Sequence, residues 1–175
     1  EYLRDCQSLG CVPPDVQRRL AGYYRAGLEL VRRRAEANAY RFGTPLSWCS
    51  TNDVTALATQ AILYERMTGD LTYHGLATEV RDWLFGRNPW GVSFIVGVPG
   101  GGTAPTRPHH PLAALGLASL TGAVVDGPVG ADIHRGLKYS ELGPDRFAPF
   151  QSDLAVYHDD QNDFATNEPI LDGTV

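Results

Sequence analysis

An acidic segment near the end of the chain contains the residue types that hydrolysis of a glycosidic bond requires. Residues 157–168 read Tyr-His-Asp-Asp-Gln-Asn-Asp-Phe-Ala-Thr-Asn-Glu, with four carboxylates and two aromatic rings. Such a reaction needs a carboxylic acid that protonates the leaving oxygen and a carboxylate that activates water, with aromatic rings as platforms for the sugar. We take Glu168 as the proton donor. On spacing alone, the three aspartates fit a turn cap or a solvated loop equally well.

A second segment, residues 86–111, is rich in glycine and proline and ends in a histidine pair. His109 and His110 lie between two prolines, which hold the backbone extended and direct successive side chains to opposite sides. One of the two imidazoles can therefore face a cleft. Histidines with nearby aspartates also suit zinc or manganese. No two such ligands are spaced i and i+4 on one predicted helix, so no metal site is assigned.

Taken together, the two segments resemble glycoside hydrolase family 9, the inverting cellulases with an (α/α)6 barrel. The resemblance rests on four motifs in family order: a Gly-Arg-Asn-Pro turn at 86–89, a Ser-aromatic-aliphatic-Val-Gly run at 93–97, Pro-His-His at 108–110, and a Tyr-x-Asp-x4-Phe-x3-Glu pattern at 157–168. Three departures accompany it. The loop between Gly97 and Pro108 is longer and richer in glycine than is usual in the family. Pro111 stands where the family usually has a substrate-binding arginine, and the residues after Glu168 differ from the family's usual ending.

The resemblance implies inverting hydrolysis of β-1,4-glycosidic bonds in glucans such as cellulose. Glu168 is then the general acid, Asp159 an aspartate important for activity, and His109 a hydrogen-bond donor to a sugar hydroxyl near the cleavage point. The expected substrate-binding residues are His110, Tyr157, Trp90 and Asp163.

The same resemblance exposes a gap in the chemistry. Family members carry the water-activating aspartates far upstream, in an Asp-Ala-Gly-Asp-like element that this chain lacks. Residues 1–175 are therefore expected to form one unit, the C-terminal part of the catalytic domain, which the missing N-terminal part must complete and which is inactive alone. Two alternatives stay open. One is an exo-acting relative that releases glucose, cellobiose or glucosamine; the other is a catalytically silent carbohydrate-binding module.

Composition narrows the partners and the compartment. The 175 residues carry a net charge of −5, with 43% hydrophobic and 20% charged residues, which is typical of a globular domain and argues against nucleic acid as a partner. No run of eighteen apolar residues and no signal peptide occur in the chain. A secreted or periplasmic location is implied by the resemblance, because cellulose lies outside the cell.

Cofactor and cysteine chemistry are less defined by the sequence. The proposed reaction requires no cofactor, and no oxygen-rich loop has the spacing of an EF-hand, so a structural calcium, common in the family, has no assigned ligands. Cys6 and Cys11 are close enough in sequence to form a disulfide, while three reduced thiols with Cys49 are the alternative.

The periodicity of apolar residues predicts an all-α fold, the C-terminal portion of an (α/α)6 barrel in which long loops form the cleft. Trp48 and Trp83 fit core faces, and Asp53 fits the cap of the second helix. Residues 92–98 are predicted to form a short strand or extended edge. Helices are predicted over 14–39, 52–69, 71–85 and, as a buried helix of small and apolar residues, 112–120.

Overall fold

A computed structural model describes residues 10–171 and 173–174, and its first half is built from three long helices. Helix α1 spans Pro14–Glu36, α2 spans Ser50–Thr68 and α3 spans His74–Leu84. The three predicted helices are thus confirmed, with their ends within three residues of the predicted positions. The chain is mostly helical with little sheet, as expected for part of an (α/α)6 barrel.

Local chemistry explains where these helices begin and end. Helix α1 begins at Pro14, where the missing N–H of proline removes no helical hydrogen bond. Helix α2 ends at Gly69, which adopts the left-handed conformation with φ 73° and donates its N–H to the Glu65 carbonyl at 2.8 Å. The core between the helices buries Leu28, Leu57 and Trp83.

The start of α2 differs from the prediction. The helix begins at Ser50, two residues before the expected Asn52, and its N-cap is Cys49 in the left-handed conformation with φ 57°. Asp53 is not the cap; its Oδ2 accepts a hydrogen bond from the Ser47 hydroxyl at 2.9 Å. Trp48 was expected in the core, but 42% of it is exposed. Because the helix starts at Ser50, Asp53 lies within its first turn rather than at the cap.

The remaining elements are short. They are α4 (Pro111–Ala114), β1 (Val124–Val125), β2 (Val129–Gly130), α5 (Ala131–Gly136), a 3-10 turn (Ala148–Phe150), β3 (Ala155–Val156) and β4 (Pro169–Ile170). Strands β1 and β4 pair antiparallel, with Val124 opposite Ile170, and β2 pairs antiparallel with β3, with Val129 opposite Val156. The acidic segment 157–168 lies between β3 and β4, so the two ladders attach both of its ends to residues 124–130.

The prediction of a buried helix over 112–120 was wrong. Only Pro111–Ala114 is helical, and Gly116, at φ 68°, turns the chain away. Three leucines of this region are largely exposed: Leu112 at 48%, Leu115 at 70% and Leu117 at 71%. The apolar run misled the prediction because composition alone does not show whether another element covers it.

The long loop 86–111 is held in place by hydrogen bonds and by two isolated β-bridges. Asn88 is buried and donates its side-chain amide to the carbonyls of Trp83 and Val92, both at 2.8 Å. Residues 92–98 form the predicted extended edge through isolated bridges, Val92 to Thr103 and Ile95 to Val124. Farther along, a Cβ placed on Gly102 would lie 1.9 Å from the Gly91 carbonyl oxygen, so the two passes of the loop nearly touch.

An aromatic core lies beneath this loop. Phe94 contacts Trp83, Trp90 and Tyr157 with ring centroids 5.1, 6.4 and 5.0 Å away, and each of the four residues is at most 6% exposed. Aromatic pairs at these separations and tilts stabilise a core beyond the area they bury. The core therefore forms a rigid base for both segments that the sequence singled out.

Two further expectations can be placed on this fold. Among the described residues, no helix combines the length and apolar character needed to cross a lipid bilayer. The suggested Cys6–Cys11 disulfide lies outside the described residues, because Cys6 is not among them.

Candidate active site

The segment that carries Glu168 runs beside the histidine pair, although Glu168 lies 58 positions after His110 in sequence. The His109 N–H donates to the Asn167 carbonyl at 2.8 Å, so the two segments run side by side at this point. Glu168 is exposed, and its own carbonyl accepts the Asp126 N–H at 2.9 Å. The backbone is thus held on both sides of Glu168 while its carboxyl group remains accessible to solvent and substrate.

The tautomer of His109 follows from its partner. The Nδ1 atom lies 2.5 Å from the Gln161 carbonyl oxygen, which can only accept, so Nδ1 carries a proton. In the neutral ring the Nε2 atom is then an acceptor, and it donates to a sugar hydroxyl only when the ring is charged. His110 points elsewhere: its Nδ1 is buried and has no hydrogen-bond partner among the described residues.

An aromatic rim surrounds this place, formed by Trp48, His109, Tyr139 and Phe164. The Phe164 ring lies at its centre, with centroid distances of 5.5 Å to Trp48, 5.1 Å to Tyr139 and 6.2 Å to His109. Trp48 is the most exposed of the chain's three tryptophans, at 42%. The exposed face of Trp48 is suited to stacking on a pyranose ring, and the other three rings are half-buried.

Asp159 anchors the loop 86–111 to the acidic segment. Its carboxylate is 1% exposed and accepts hydrogen bonds from the Thr106 N–H and hydroxyl, the Arg107 N–H and the Asn167 side-chain amide, at 2.6–3.1 Å. Arg146 forms an ion pair with it at 2.8 Å. The structure therefore brings Asp159 to the site as a buried anchor. It holds Arg107, which lies two residues before His109.

Asp163 lies at the centre of a His134–Asp163–His158 triad. Its Oδ2 accepts from His134 Nε2 at 2.9 Å and from His158 Nδ1 at 2.7 Å, while Oδ1 accepts the N–H groups of Ala165 and Thr166. Burial by itself would raise the pKa of Asp163, but the hydrogen bonds and charges of the two histidines hold it well below its usual range. Burial lowers the pKa of His158, but Asp163 outweighs it, so the net shift is upward.

Among the described residues, the ligand atoms of this triad lie within 4.8 Å of one another, which is close enough to consider a metal site. A zinc ion with four ligands at about 2.0–2.1 Å spaces neighbouring ligand atoms about 3.3 Å apart. The N···O separations of 2.7 and 2.9 Å are hydrogen-bond lengths instead. The donor atoms therefore fit shared protons better than a metal ion, and the triad is a hydrogen-bonded brace.

Asp126 is a further buried carboxylate, 1% exposed, and its backbone N–H donates to the Glu168 carbonyl. Burial raises the pKa of Asp126 to about 6; hydrogen bonds from Cys49 and Trp48 oppose the rise, and the charges of Glu168 and Asp163 add to it. The Trp48 indole N–H donates to Asp126 Oδ2 at 3.1 Å. This carboxylate thus connects the exposed ring to the segment that carries Glu168.

Three of the expected sugar-binding side chains lie in the interior. Tyr157 and Asp163 are each 0% exposed, and Trp90 is 6% exposed with its indole N–H bonded to Gln151. The Tyr157 hydroxyl donates to Asn167 Oδ1 at 3.0 Å. These side chains shape the site from below and offer no open face to a sugar in this structure.

Sequence reasoning missed several residues of the site. Trp48, Asp126 and His134 come from parts of the chain that carried no motif, and the fold alone brings them together. Asn167 and His158 lie inside the recognised segment but were passed over. The Asn-Glu pair at 167–168 was the available signal, since a buried amide next to an exposed acid is well suited to fix the backbone there.

Two surface depressions lie away from this site. One lies between α1 and the start of α3, lined by residues that include Arg25, Glu29 and Tyr73. The other borders α2 near Thr59 and Leu63. No residue of the aromatic rim and none of the carboxylates around Glu168 lines either depression, so neither bears on the chemistry of the acidic segment.

Comparison with known proteins gives a consistent result. A family model described as glycosyl hydrolase family 9 matches residues 16–175. Among solved structures, the family 9 endoglucanase J30 is 28% identical with a TM-score of 0.73, and a single mutant of a thermostable endoglucanase from Alicyclobacillus acidocaldarius is 25% identical with a TM-score of 0.71. A complex of AaCel9A with cellobiose-like isofagomine, at 24% identity and a TM-score of 0.71, shares the fold.

These similarities cover nearly all of this chain but only part of each relative. The chain is covered to 94% in all three cases, and it spans 30% of the J30 chain and 31% of the other two. A search of curated proteins gave no significant match. The chain therefore spans less than one third of the length of each of these three relatives.

Proposed function

Because this chain belongs to glycosyl hydrolase family 9, we propose that it carries the acid side of the active site of a β-1,4-glucanase. In this proposal Glu168 protonates the glycosidic oxygen as the bond to the leaving sugar breaks, and the reaction inverts the anomeric configuration. The observation that carries it is the position of Glu168: it is exposed on a backbone that is fixed by the hydrogen bonds from His109 to Asn167 and from Asp126 to Glu168.

The surroundings of Glu168 support this role. General acid catalysis requires the donor to be held at one point relative to the bond that breaks. The Asp159 anchor and the β1–β4 ladder restrict the backbone near Glu168, and the aromatic rim offers ring faces for sugars. His109, with a proton on Nδ1, presents Nε2 as the atom that contacts a sugar hydroxyl.

The proposal assigns the water-activating base to another part of the same barrel. Inverting enzymes place the base on the opposite face of the sugar, with carboxyl groups about 6.5–9.5 Å apart. The buried carboxylates of the site are unsuited to this task. Asp159 and Asp163 already accept several hydrogen bonds, and Asp126 is only 1% exposed. The N-terminal part of the catalytic domain is therefore the proposed partner, and these residues alone are expected to be inactive.

Replacement of Glu168 in the complete enzyme tests the proposal. The Glu168→Gln variant should lose cellulose and cello-oligosaccharide hydrolysis by a factor of about 10²–10⁴ while it still binds cellohexaose. Aryl cellobiosides with good leaving groups need little acid assistance, so they should be hydrolysed at nearly the wild-type rate. Undiminished hydrolysis of cellohexaose by Glu168→Gln would refute the assignment.

A matched control is available on the helical side. Asp70 accepts a hydrogen bond from the Tyr64 hydroxyl at 2.8 Å at the end of α2, away from the cleft. Asp70→Asn changes a carboxylate to an amide as Glu168→Gln does, and it should leave hydrolysis of every substrate unchanged.

The rival functions differ in their products. An exo-acting enzyme releases only mono- or disaccharides from cellohexaose, whereas an endo-acting enzyme gives mixed lengths at early times. A silent binding module binds cellohexaose in a calorimeter, but the full-length protein releases no sugar from it. The proposed secreted or periplasmic location is tested by fractionation of the producing cells, and the proposal needs no cofactor for the chemical step.

A further inference from the structure

We propose that Asp126 is a positioning residue of this site, which holds the Trp48 indole at the edge of the cleft so that the ring stacks on a sugar unit of the glucan. The inference rests on the proposed function and goes beyond it. It names a buried carboxylate, remote in sequence from every motif, as the group that sets the orientation of an exposed ring.

The first step concerns Trp48 itself. An indole that is 42% exposed has little packing to hold it, whereas Trp83 and Trp90 are buried at 2% and 6% exposure. Two contacts fix its ring: the indole N–H donates to Asp126 Oδ2 at 3.1 Å, and the ring tilts against Phe164 with centroids 5.5 Å apart. A ring held in advance loses less conformational entropy when a sugar binds.

The second step is that Asp126 is rigid. Its backbone N–H donates to the Glu168 carbonyl at 2.9 Å, and its own carbonyl accepts the N–H and hydroxyl of Thr51, both at 3.1 Å. The next residue, Gly127, donates its N–H to the Thr166 carbonyl at 2.9 Å. Asp126 is therefore fixed to the first turn of α2 on one side and to the acid segment on the other.

The third step is the energetic cost of this group. Its Oδ1 atom is buried and receives no hydrogen bond from a nitrogen or oxygen donor of the described residues. A buried carboxylate that is only partly satisfied destabilises the folded state, and such costs concentrate at functional sites. A neutral amide of the same size would remove the cost of burying a charge and keep an acceptor for the indole, whereas an apolar side chain would remove the acceptor as well.

The groups that face Asp126 define its response to pH. They are the Cys49 thiol at the start of α2 and the carboxyl groups of Glu168 and Asp163. With its pKa raised to about 6, Asp126 changes charge near pH 6. The neutral form is a weaker acceptor for the Trp48 N–H than the carboxylate.

A double-mutant cycle in the complete enzyme tests the inference, with cellohexaose binding measured by calorimetry in a Glu168→Gln background. Trp48→Ala should weaken binding about fivefold, the size of one aromatic contact. Asp126→Ala should weaken it by a similar factor, and the double variant should be no weaker than Trp48→Ala alone. Additive effects, or an Asp126→Ala variant that binds like its parent, would overturn the inference.

The same experiment separates the inference from the proposed function. If Trp48→Ala weakens binding and Asp126→Ala does not, only the role of Asp126 is refuted. If Glu168→Gln leaves hydrolysis intact, the proposed function itself has failed. Asp70→Asn again serves as the control, because its carboxylate accepts a hydrogen bond from an aromatic residue far from the cleft.

A second measurement decides the case if Asp126→Ala does not fold. Tryptophan emission should change with a midpoint near pH 6 in the parent, because the exposed indole reports the charge of its partner. The change should disappear in Asp126→Asn, whose amide oxygen still accepts from the indole but does not titrate, and in Trp48→Phe, which has no N–H. An emission change that persists in both variants would overturn the inference.

Discussion

The N–H of His109 donates to the carbonyl of Asn167 at 2.8 Å, which joins the histidine segment to the acid segment at the residue before Glu168. The contact is made by backbone atoms, so it does not depend on the protonation of either imidazole. It means that a displacement of the loop 86–111 is transmitted directly to the proposed acid. The predictions below test how the buried polar groups around this contact maintain it.

Asp159→Asn should release the loop 86–111. The asparagine removes the charge that Arg146 pairs with and replaces one acceptor oxygen by a donor, which should lower the free energy of unfolding by about 2–4 kcal/mol. Hydrogen exchange at the amides of Thr106 and Arg107 should accelerate strongly, because both donate to Asp159. Exposed Asp153→Asn is the control and should change neither quantity.

The same measurement distinguishes the two roles of Asp159. If turnover falls while both amides stay protected, Asp159 contributes directly to the chemistry, as the family resemblance implies. If turnover and protection fall together, its contribution is positional.

Asp163→Asn should destabilise the protein by about 3–5 kcal/mol, because the change breaks a buried, doubly hydrogen-bonded ion pair with His134 and His158. Urea unfolding at fixed pH measures the effect. Glu65→Gln is the matched control: its partner His74 lies at 3.0 Å but is 67% exposed, so the loss should stay below about 1 kcal/mol. Equal losses in the two variants would contradict the triad as a brace.

The stability provided by the triad should depend on pH in two directions. The lowered pKa of Asp163 means that its contribution is complete above the ordinary carboxyl value of about 3.9 and is lost as the pH falls through the lowered pKa. The raised pKa of His158 means that its contribution is complete below the ordinary value of about 6.5 and is lost as the pH rises. The difference between the parent and Asp163→Asn should therefore be largest between about pH 4 and 6.5.

Asp126 should act with the opposite sign to Asp163. Its pKa is raised to about 6 in the folded state, so the folded protein holds a proton that the unfolded chain releases above about pH 4. Stability should fall by about 3 kcal/mol as the pH rises from 4 to above 6, and this fall should be absent in Asp126→Asn. Urea unfolding of both proteins across this range measures it, and parallel curves would contradict the prediction.

Gly102→Ala should disrupt the loop 86–111, whereas Gly101→Ala should be tolerated. A Cβ at position 102 would meet the Gly91 carbonyl oxygen at 1.9 Å, and that backbone cannot move without breaking the crossing. At position 101 nothing lies within 4 Å. Thermal unfolding should show a clear loss for the first variant and a change near zero for the second; a similar Tm for both would exclude the close approach.

The helices could be predicted from the sequence because their signals are local. Pro14, Gly69 and the apolar repeat act within a few residues, so α1, α2 and α3 were located to within three residues of their ends. The region 112–120 failed for the complementary reason: whether Leu115 is buried depends on what packs against it, and no local pattern contains that information.

The candidate site was predictable only where its residues lie within motifs. Glu168 and His109 were found, and the structure places them on adjacent segments. Trp48 and Asp126 could not be found, because their meeting depends on a left-handed turn at Cys49 and on the pairing of β1 with β4. Tyr157 and Trp90 have the right chemistry for sugar stacking, but burial is decided by tertiary packing rather than by residue type.

The exposed leucines after the histidine pair have a practical consequence. Leu112, Leu115 and Leu117 expose apolar surface next to the histidine pair. Exposed apolar patches of this kind promote aggregation when no other element covers them. A laboratory that expresses these 175 residues by themselves should expect inclusion bodies or soluble aggregates. Glutamine or lysine at positions 115 and 117 is the first change to try for a tractable sample, since both side chains already point into water and neither touches the chemistry.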